Sequence, residues 1–181
     1  MKILITTAIL LFSLFTATSQ EVKYQTYKAQ LKLSASKEGE NFQWTNNNIA
    51  VTLNYKTGDF ILKLKNSDFK ETLENRNTVT QETETVKDTE YLFKGMFPIN
   101  SIIDQQSINQ TYPIELQLIC DDPEIDKTVN FKMDITYPGS GQYRIFTLNG
   151  KLYNDELNIP AFTGFDNEIE LWIVFNAFVS N

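Results

Sequence analysis

The sequence contains no histidine and only one cysteine among 181 residues. The lack of histidine excludes the Ser-His and Cys-His pairs of most hydrolases and the commonest ligand of zinc and copper. A single cysteine excludes an internal disulfide. Glycine and proline are also few, with seven and five residues, and the chain has no glycine-rich phosphate loop, which excludes a Rossmann or P-loop enzyme. A chain of this length forms one domain by default.

Basic residues are fewer than acidic ones. The chain has 16 lysines and arginines against 23 aspartates and glutamates, a formal net charge of -7. Binding to phosphates needs a positive field. The charge balance therefore argues against nucleic acid or an anionic lipid surface as the main partner.

The one long apolar run lies at the N-terminus. Lys2 precedes it, residues 3–15 are apolar apart from three hydroxyl residues, and residues 17–19 are small. This is the pattern of a secretory leader, and the run is shorter than the roughly 20 residues that span a bilayer. We therefore expect residues 1–19 to be a signal peptide and residues 20–181 to form one domain, periplasmic or secreted. No cysteine follows the run, which argues against lipid attachment there.

Apolar and polar residues alternate along most of the remaining chain. A period of two indicates strands with one buried face, and strands linked by short turns predict an all-β, antiparallel fold. Residues 56–59 supply the turn of one hairpin, and Asn149-Gly150 is the signal of another. Strands are predicted at residues 24–35, 49–55, 60–64, 91–97, 114–120, 129–137, 142–148, 151–153 and 169–178.

Two polar segments interrupt this alternation. Residues 66–90 are rich in Thr, Glu and Asn, which predicts a long loop with a short helix near residues 68–74, capped by Ser67 or Asp68. Residues 100–111 form a second polar connection. Because strands continue on both sides of each segment, neither is predicted to be a domain linker.

The order of several short motifs resembles that of a known family. The stretches are residues 31–34, Asn47-Asn48-Ile49-Ala50-Val51, Thr57-Gly58-Asp59-Phe60, Asn66-Ser67-Asp68-Phe69, Phe93-Lys94-Gly95, Thr111-Tyr112-Pro113-Ile114, and an apolar strand after Ile159-Pro160. Together they resemble the YceI-like family over about residues 24–179. The resemblance implies an exported antiparallel β-barrel of extended lipocalin type that holds a long apolar molecule, such as a polyisoprenoid or lipid.

A barrel of about eight strands is either filled by its own side chains or just able to hold one small ligand. Burial of ten ligand methylenes would contribute up to about 8 kcal/mol before the cost of association. The same alternation suits any packed β core, so a second interpretation stays open: a β-sandwich interaction or carbohydrate-binding module with a filled core and no lipid ligand. The predicted lumen residues are Val51, Leu53, Phe60, Leu62, Phe93, Phe97, Leu116, Leu118, Phe131, Met133, Ile135, Leu171 and Ile173.

The last predicted strand is apolar on both faces. Trp172, Val174 and Phe178 lie on the face opposite to the predicted lumen residues. An apolar face of this kind is expected to be covered by another part of the protein or by a partner. A homodimer contact and a covering loop or N-terminal segment are equally compatible with it.

The remaining candidate chemistry is sparse. Four carboxylates lie within residues 121–126, which fits either a calcium site or an exposed hairpin turn. Cys120 is in phase with the apolar residues of its strand and is predicted to be a buried hydrophobe. Glu168 and Glu170 share one face of a strand, as the two carboxylates of a glycosidase would have to, but acidic residues on outward faces are usually solvated. We expect a binding protein without a cofactor rather than an enzyme.

Overall fold

The computed structural model describes residues 23–26, 28–72, 88–104, 109–122, 124–138, 143–157 and 162–178. These residues form one antiparallel sheet of eleven strands with three short helical segments. The helical segments are a 3₁₀ helix (Asn66–Asp68), α1 (Ile99–Asp104) and α2 (Asn154–Leu157). The strands are β1 (Lys23–Thr26), β2 (Ala29–Lys37), β3 (Glu40–Asn46), β4 (Ala50–Asn54), β5 (Asp59–Lys65), β6 (Lys70–Glu71), β7 (Glu90–Met96), β8 (Gln110–Asp121), β9 (Glu124–Thr136), β10 (Tyr143–Tyr153) and β11 (Glu168–Phe178).

Six of these strands are halves of three longer, bent strands. Thr26 pairs with Val51, and Leu31 pairs with Asn46, so β1 with β4 and β2 with β3 keep one antiparallel register. β5 pairs with β4, and after the 3₁₀ helix β6 pairs with β3. Each of these three long strands is therefore interrupted once, and its two halves pair with the two halves of the same neighbouring strand.

The other strands close the ring. From β5 the pairing runs in chain order through β7, β8, β9, β10 and β11, always antiparallel. β11 then pairs with β2, which returns the sheet to its first long strand. Eight long strands thus form a closed barrel. The predicted all-β, lipocalin-like barrel is confirmed, and the β-sandwich is wrong because one sheet curls on itself instead of two layers packing together.

The interior of this barrel holds a single hydrophobic core. Along β9, Phe131, Met133 and Ile135 are buried, whereas Lys132 between them is exposed. The same alternation places Phe60, Leu62 and Leu64 of β5 inside. The predicted phases of these strands are confirmed, because each strand has one face in the core and one towards water.

Two local predictions are wrong. Asn149-Gly150 does not form a hairpin, since both residues lie within the continuous strand β10. A Cβ on Gly150 would lie 2.6 Å from ring carbons of Phe131, so this glycine makes room for a neighbouring side chain rather than for a turn. The predicted helix near residues 68–74 is a 3₁₀ helix that ends at Asp68, followed by the extended segment β6.

Some elements were missed and some predictions fall outside the described residues. No strand was predicted over β3 and no helix over α1, yet both form. The signal peptide and the centre of the 66–90 segment, residues 73–87, lie outside the described residues. Neither α-helix within the described ranges, of six and four residues, has the length to cross a membrane.

Candidate functional site: the barrel interior

The predicted lumen residues all face the barrel interior. Each of the thirteen belongs to the one core cluster, and none is more than 3% exposed. Their inward position is therefore established, whereas their contact with a ligand stays a prediction. Residues this deeply buried touch other side chains rather than open space, so the interior at these positions is occupied by the protein itself.

Four phenylalanine rings cross the interior at one level. Phe60 stacks on Phe97 with centroids 4.5 Å apart, and Phe146 stacks on Phe175 at 5.0 Å. Phe60 also stacks on Phe175 at 5.6 Å. Because β5 and β11 are not neighbours in the sheet, this last contact spans the barrel. We call these four residues the phenylalanine cluster.

Phe146 and Phe175 were missing from the predicted lumen set. Both are fully buried on the inward faces of β10 and β11. Their phase was visible in the sequence, since Phe175 follows Leu171 and Ile173 at intervals of two. This period of two was sufficient to include Phe175 among the predicted lumen residues.

One end of the interior carries a buried positive charge that the sequence analysis did not single out. Arg144 is 4% exposed and lies on the same inward face of β10 as buried Phe146 and Leu148. Its guanidinium carbon lies 5.1 Å from the centroid of the Tyr137 ring. Its Nη1 is buried and has no hydrogen-bond partner among the described residues. The in-phase position of Arg144 was the only signal of its burial.

The polar groups around this end belong to neighbouring strands and to α1. The Tyr137 hydroxyl donates to the Ile102 carbonyl of α1 at 3.4 Å, and the Tyr112 hydroxyl donates to the Gln110 side-chain oxygen. Burial raises the pKa of Tyr137, and the nearby positive charge of Arg144 opposes that rise. Tyr137 is therefore a neutral hydrogen-bond donor at neutral pH.

The opposite end of the interior is covered by aromatic rings. Trp44 of β3 contacts Phe162 and Phe165 edge-on, with centroids 5.7 and 5.6 Å apart. Phe42 contacts Phe165 at 5.1 Å, and the Lys37 ammonium lies 5.4 Å from the centre of that ring. Except for buried Phe162, these rings are partly exposed, so this end of the barrel meets water through aromatic edges.

The outer wall carries a polar groove. It has a volume of about 830 Å³ and is bordered by side chains that include Lys32, Lys151, Glu170 and Trp172. The Lys32 ammonium covers the Trp172 ring, 5.0 Å from its centroid. Trp172 and Val174 lie on the outward face, as predicted, and both are half-buried. Dimerisation through this face stays a prediction, and the Phe178 side chain lies outside the described part of the chain.

The other candidate sites are on the surface. Asp121 pairs with Glu124 where β8 turns into β9, and both are exposed. Among the described residues, no group of three or more acidic or cysteine side chains could hold a metal ion. Cys120 is buried, as predicted, and burial raises the pKa of its thiol. Glu168 forms an ion pair with Lys151 at 2.7 Å, and Lys151 borders the outer groove.

Comparison with known proteins gives a shared fold. No protein-family model matches the chain, and no curated protein matches its sequence. A polyisoprenoid binding domain from Saccharophagus degradans, implicated in plant cell wall breakdown, superposes with a TM-score of 0.64 and 8% identity, covering 89% of this chain and 100% of that domain. BcnA from Burkholderia cenocepacia superposes with a TM-score of 0.53 and 8% identity, covering 82% and 96%.

These likenesses define the class of fold. The chain shares its barrel fold with the domain from Saccharophagus degradans over 89% of its length. The resemblance to the YceI-like family is therefore confirmed in the fold that it implied. At 8% identity the likeness establishes fold and leaves the ligand to be argued from the residues.

Proposed function

We propose that this protein is an exported, non-enzymatic carrier of a long apolar ligand, an isoprenoid or lipid, held inside the barrel. The observation that carries the proposal is the fold shared with a polyisoprenoid binding domain, combined with an interior lined by apolar side chains. A chain of methylenes inside this barrel would meet apolar atoms along the whole predicted lumen set. Such a site needs no catalytic group.

The free energies of burial allow an apolar ligand to replace contacts between core side chains. Moving one phenylalanine ring from the core to water costs roughly 1.5–3 kcal/mol, whereas burial of ten methylenes contributes up to about 8 kcal/mol. Phe97 is placed for such an exchange, because it contacts three rings of the phenylalanine cluster and lies between β7 and α1 rather than within a strand. The ligand then occupies the level that the phenylalanine cluster now fills.

The leader-like sequence of residues 1–19 supports the proposal of export. Expression in a Gram-negative host, followed by intact-mass measurement of the periplasmic fraction, tests this step. The expected mature protein begins at Gln20. A protein that stays in the cytosol with its leader attached would contradict the proposal of export.

Extraction of the purified, natively expressed protein with organic solvent, followed by mass spectrometry, tests the ligand. The carrier proposal predicts an isoprenoid or fatty chain in near-stoichiometric amount. Outward variants such as Lys132→Gln should retain it, because Lys132 points away from the interior.

A second candidate function is supported by the packing of the phenylalanine cluster. Rings that stack across the interior at 4.5–5.6 Å are what a permanently filled barrel would show. Such a barrel would act through its surface as an interaction module. Repeated absence of any co-purified chain, together with no binding of added chains, would favour this second function.

A further inference from the structure

One end of the barrel interior holds a guanidinium for which the described residues supply no counter-charge. Arg144 is 4% exposed. Within the described part of the chain, its contact is with the Tyr137 ring, and no carboxylate forms an ion pair or hydrogen bond with it. A cation in this setting is an exception to the rule that buried charges are paired.

This arrangement is costly for the protein alone. Removing an ion from water costs several kcal/mol, which is offset only when an opposite charge and good hydrogen bonds replace the water. An aromatic ring offsets a part of that cost. A group that completes this site would therefore have to satisfy the buried Nη1 of Arg144.

The position of Arg144 shows which kind of partner fits. Phe146, two residues along the same inward face, belongs to the phenylalanine cluster and stacks on Phe175. On β11 the residue opposite Arg144 is Ala177, whose side chain is a single methyl group. A ligand chain lying along the phenylalanine cluster would thus end within reach of Arg144.

We propose that Arg144 binds the anionic head group, a carboxylate or a phosphate, of the apolar ligand. This inference rests on the proposed carrier function and adds the ligand class to it. The planar fork of a guanidinium matches the paired oxygens of these groups and binds them by charge-assisted hydrogen bonds. The Tyr137 hydroxyl lies at the same end, but its single proton is donated to the Ile102 carbonyl, so the guanidinium is the group that binds the anion.

The experiment compares how tightly the mature protein binds different probes. Three of the probes have alkyl chains of equal length. Palmitate and hexadecyl phosphate carry an anionic head, hexadecanol carries a neutral one, and acetate and inorganic phosphate carry no chain. Equilibrium dissociation constants are measured for the wild type, Arg144→Met and Arg144→Lys. Lys94→Gln, an exposed residue of β7, removes one positive charge outside the barrel and is the matched control.

We expect the wild type and Lys94→Gln to bind the anionic chains about 10- to 100-fold more tightly than hexadecanol, the range of a charge-assisted hydrogen bond. Arg144→Met should lose this difference and keep its affinity for hexadecanol, while Arg144→Lys should retain part of the difference.

Equal binding of palmitate and hexadecanol by the wild type would overturn the assignment of Arg144 and leave the carrier function intact. Failure of every chain to bind would instead overturn the carrier function. Binding of acetate or inorganic phosphate with the affinity of the chain anions would overturn the head-group assignment in favour of a free-anion site.

Discussion

Arg144 and Tyr137 face each other at one end of the barrel, with the guanidinium carbon 5.1 Å from the centre of the phenol ring. A cation over an aromatic ring contributes about 0.5–2 kcal/mol. Burial of an unpaired charge costs more than this. The pair therefore accounts for the orientation of Arg144 but not for its presence inside an apolar core.

Replacement of this charge should not harm the ligand-free fold. We expect Arg144→Met to leave the free energy of unfolding unchanged or to raise it by about 1–2 kcal/mol, because a methionine fills similar space without the desolvation cost. Urea unfolding of the ligand-free protein measures this. A loss above about 2 kcal/mol would show that Arg144 supports the fold through a partner of its own.

The contact between Gly150 and Phe131 gives a second test. A methyl group on residue 150 would lie 2.6 Å from two ring carbons of Phe131. We therefore expect Gly150→Ala to destabilise the protein by about 1–3 kcal/mol, the usual range for overpacking. Asn149→Ala changes the exposed neighbour on the same strand and should stay within about 0.5 kcal/mol. Equal effects of the two substitutions would contradict the observed packing.

The two faces of β9 can be distinguished in the same way. Phe131 is 3% exposed, whereas the Lys132 side chain is 64% exposed in a surface ion pair with Asp134. Phe131→Glu should cost several kcal/mol because it buries a carboxylate, and Lys132→Glu should cost about 1 kcal/mol at most. Thermal unfolding of both variants checks the register. A larger loss from Lys132→Glu would reverse the assignment of faces.

Much of the barrel was visible in the sequence, because a half-buried strand needs alternating residues. The hairpin of β4 and β5 was predicted from that period and from the turn residues 56–59, and it is confirmed. β3 was missed although Phe42 and Trp44 alternate with polar residues, because those rings cover the barrel end and lack aliphatic neighbours. Local periodicity finds a strand best where its inner face is aliphatic.

Features that depend on distant contacts were beyond local reasoning. Asn149-Gly150 has the strongest local hairpin signal, yet the ladders to β9 and β11 continue through it. The closure of the sheet between β11 and β2 joins residues more than 130 positions apart, such as Ile173 and Leu31. No local pattern specifies such a pairing, so the sequence alone left barrel and sandwich open.

An ion pair joins the two ends of the segment between β5 and β7, and it predicts how the stability of the protein depends on pH. Lys65 bonds to Asp88 at 2.8 Å and Ser67 donates to the same carboxylate at 2.8 Å. These hydrogen bonds lower the pKa of Asp88 below its ordinary value of 3.8. Because the folded-state pKa is the lower one, the stabilisation is full at neutral pH and is lost as the pH falls through that lowered pKa.

We therefore expect Asp88→Asn to unfold at a lower temperature than the wild type at pH 7, with the difference vanishing at strongly acidic pH. Glu124→Gln, at the exposed turn between β8 and β9, is the control and should show little difference at either pH. Melting temperatures measured between pH 2 and 7 test this. A difference that persists under strongly acidic conditions would contradict the assigned role of the Asp88 carboxylate.

Methyl NMR determines whether the inside of the barrel receives an apolar chain. Leu62, Leu116 and Ile173 point inwards, whereas Ile61 and Ile145 lie on the outward faces of β5 and β10. With methyl-labelled protein and hexadecanol, we expect intermolecular NOEs to the methyl groups of the three inward residues and none to those of the two outward residues. NOEs confined to the outward methyls, or no NOE at a saturating concentration of hexadecanol, would contradict it.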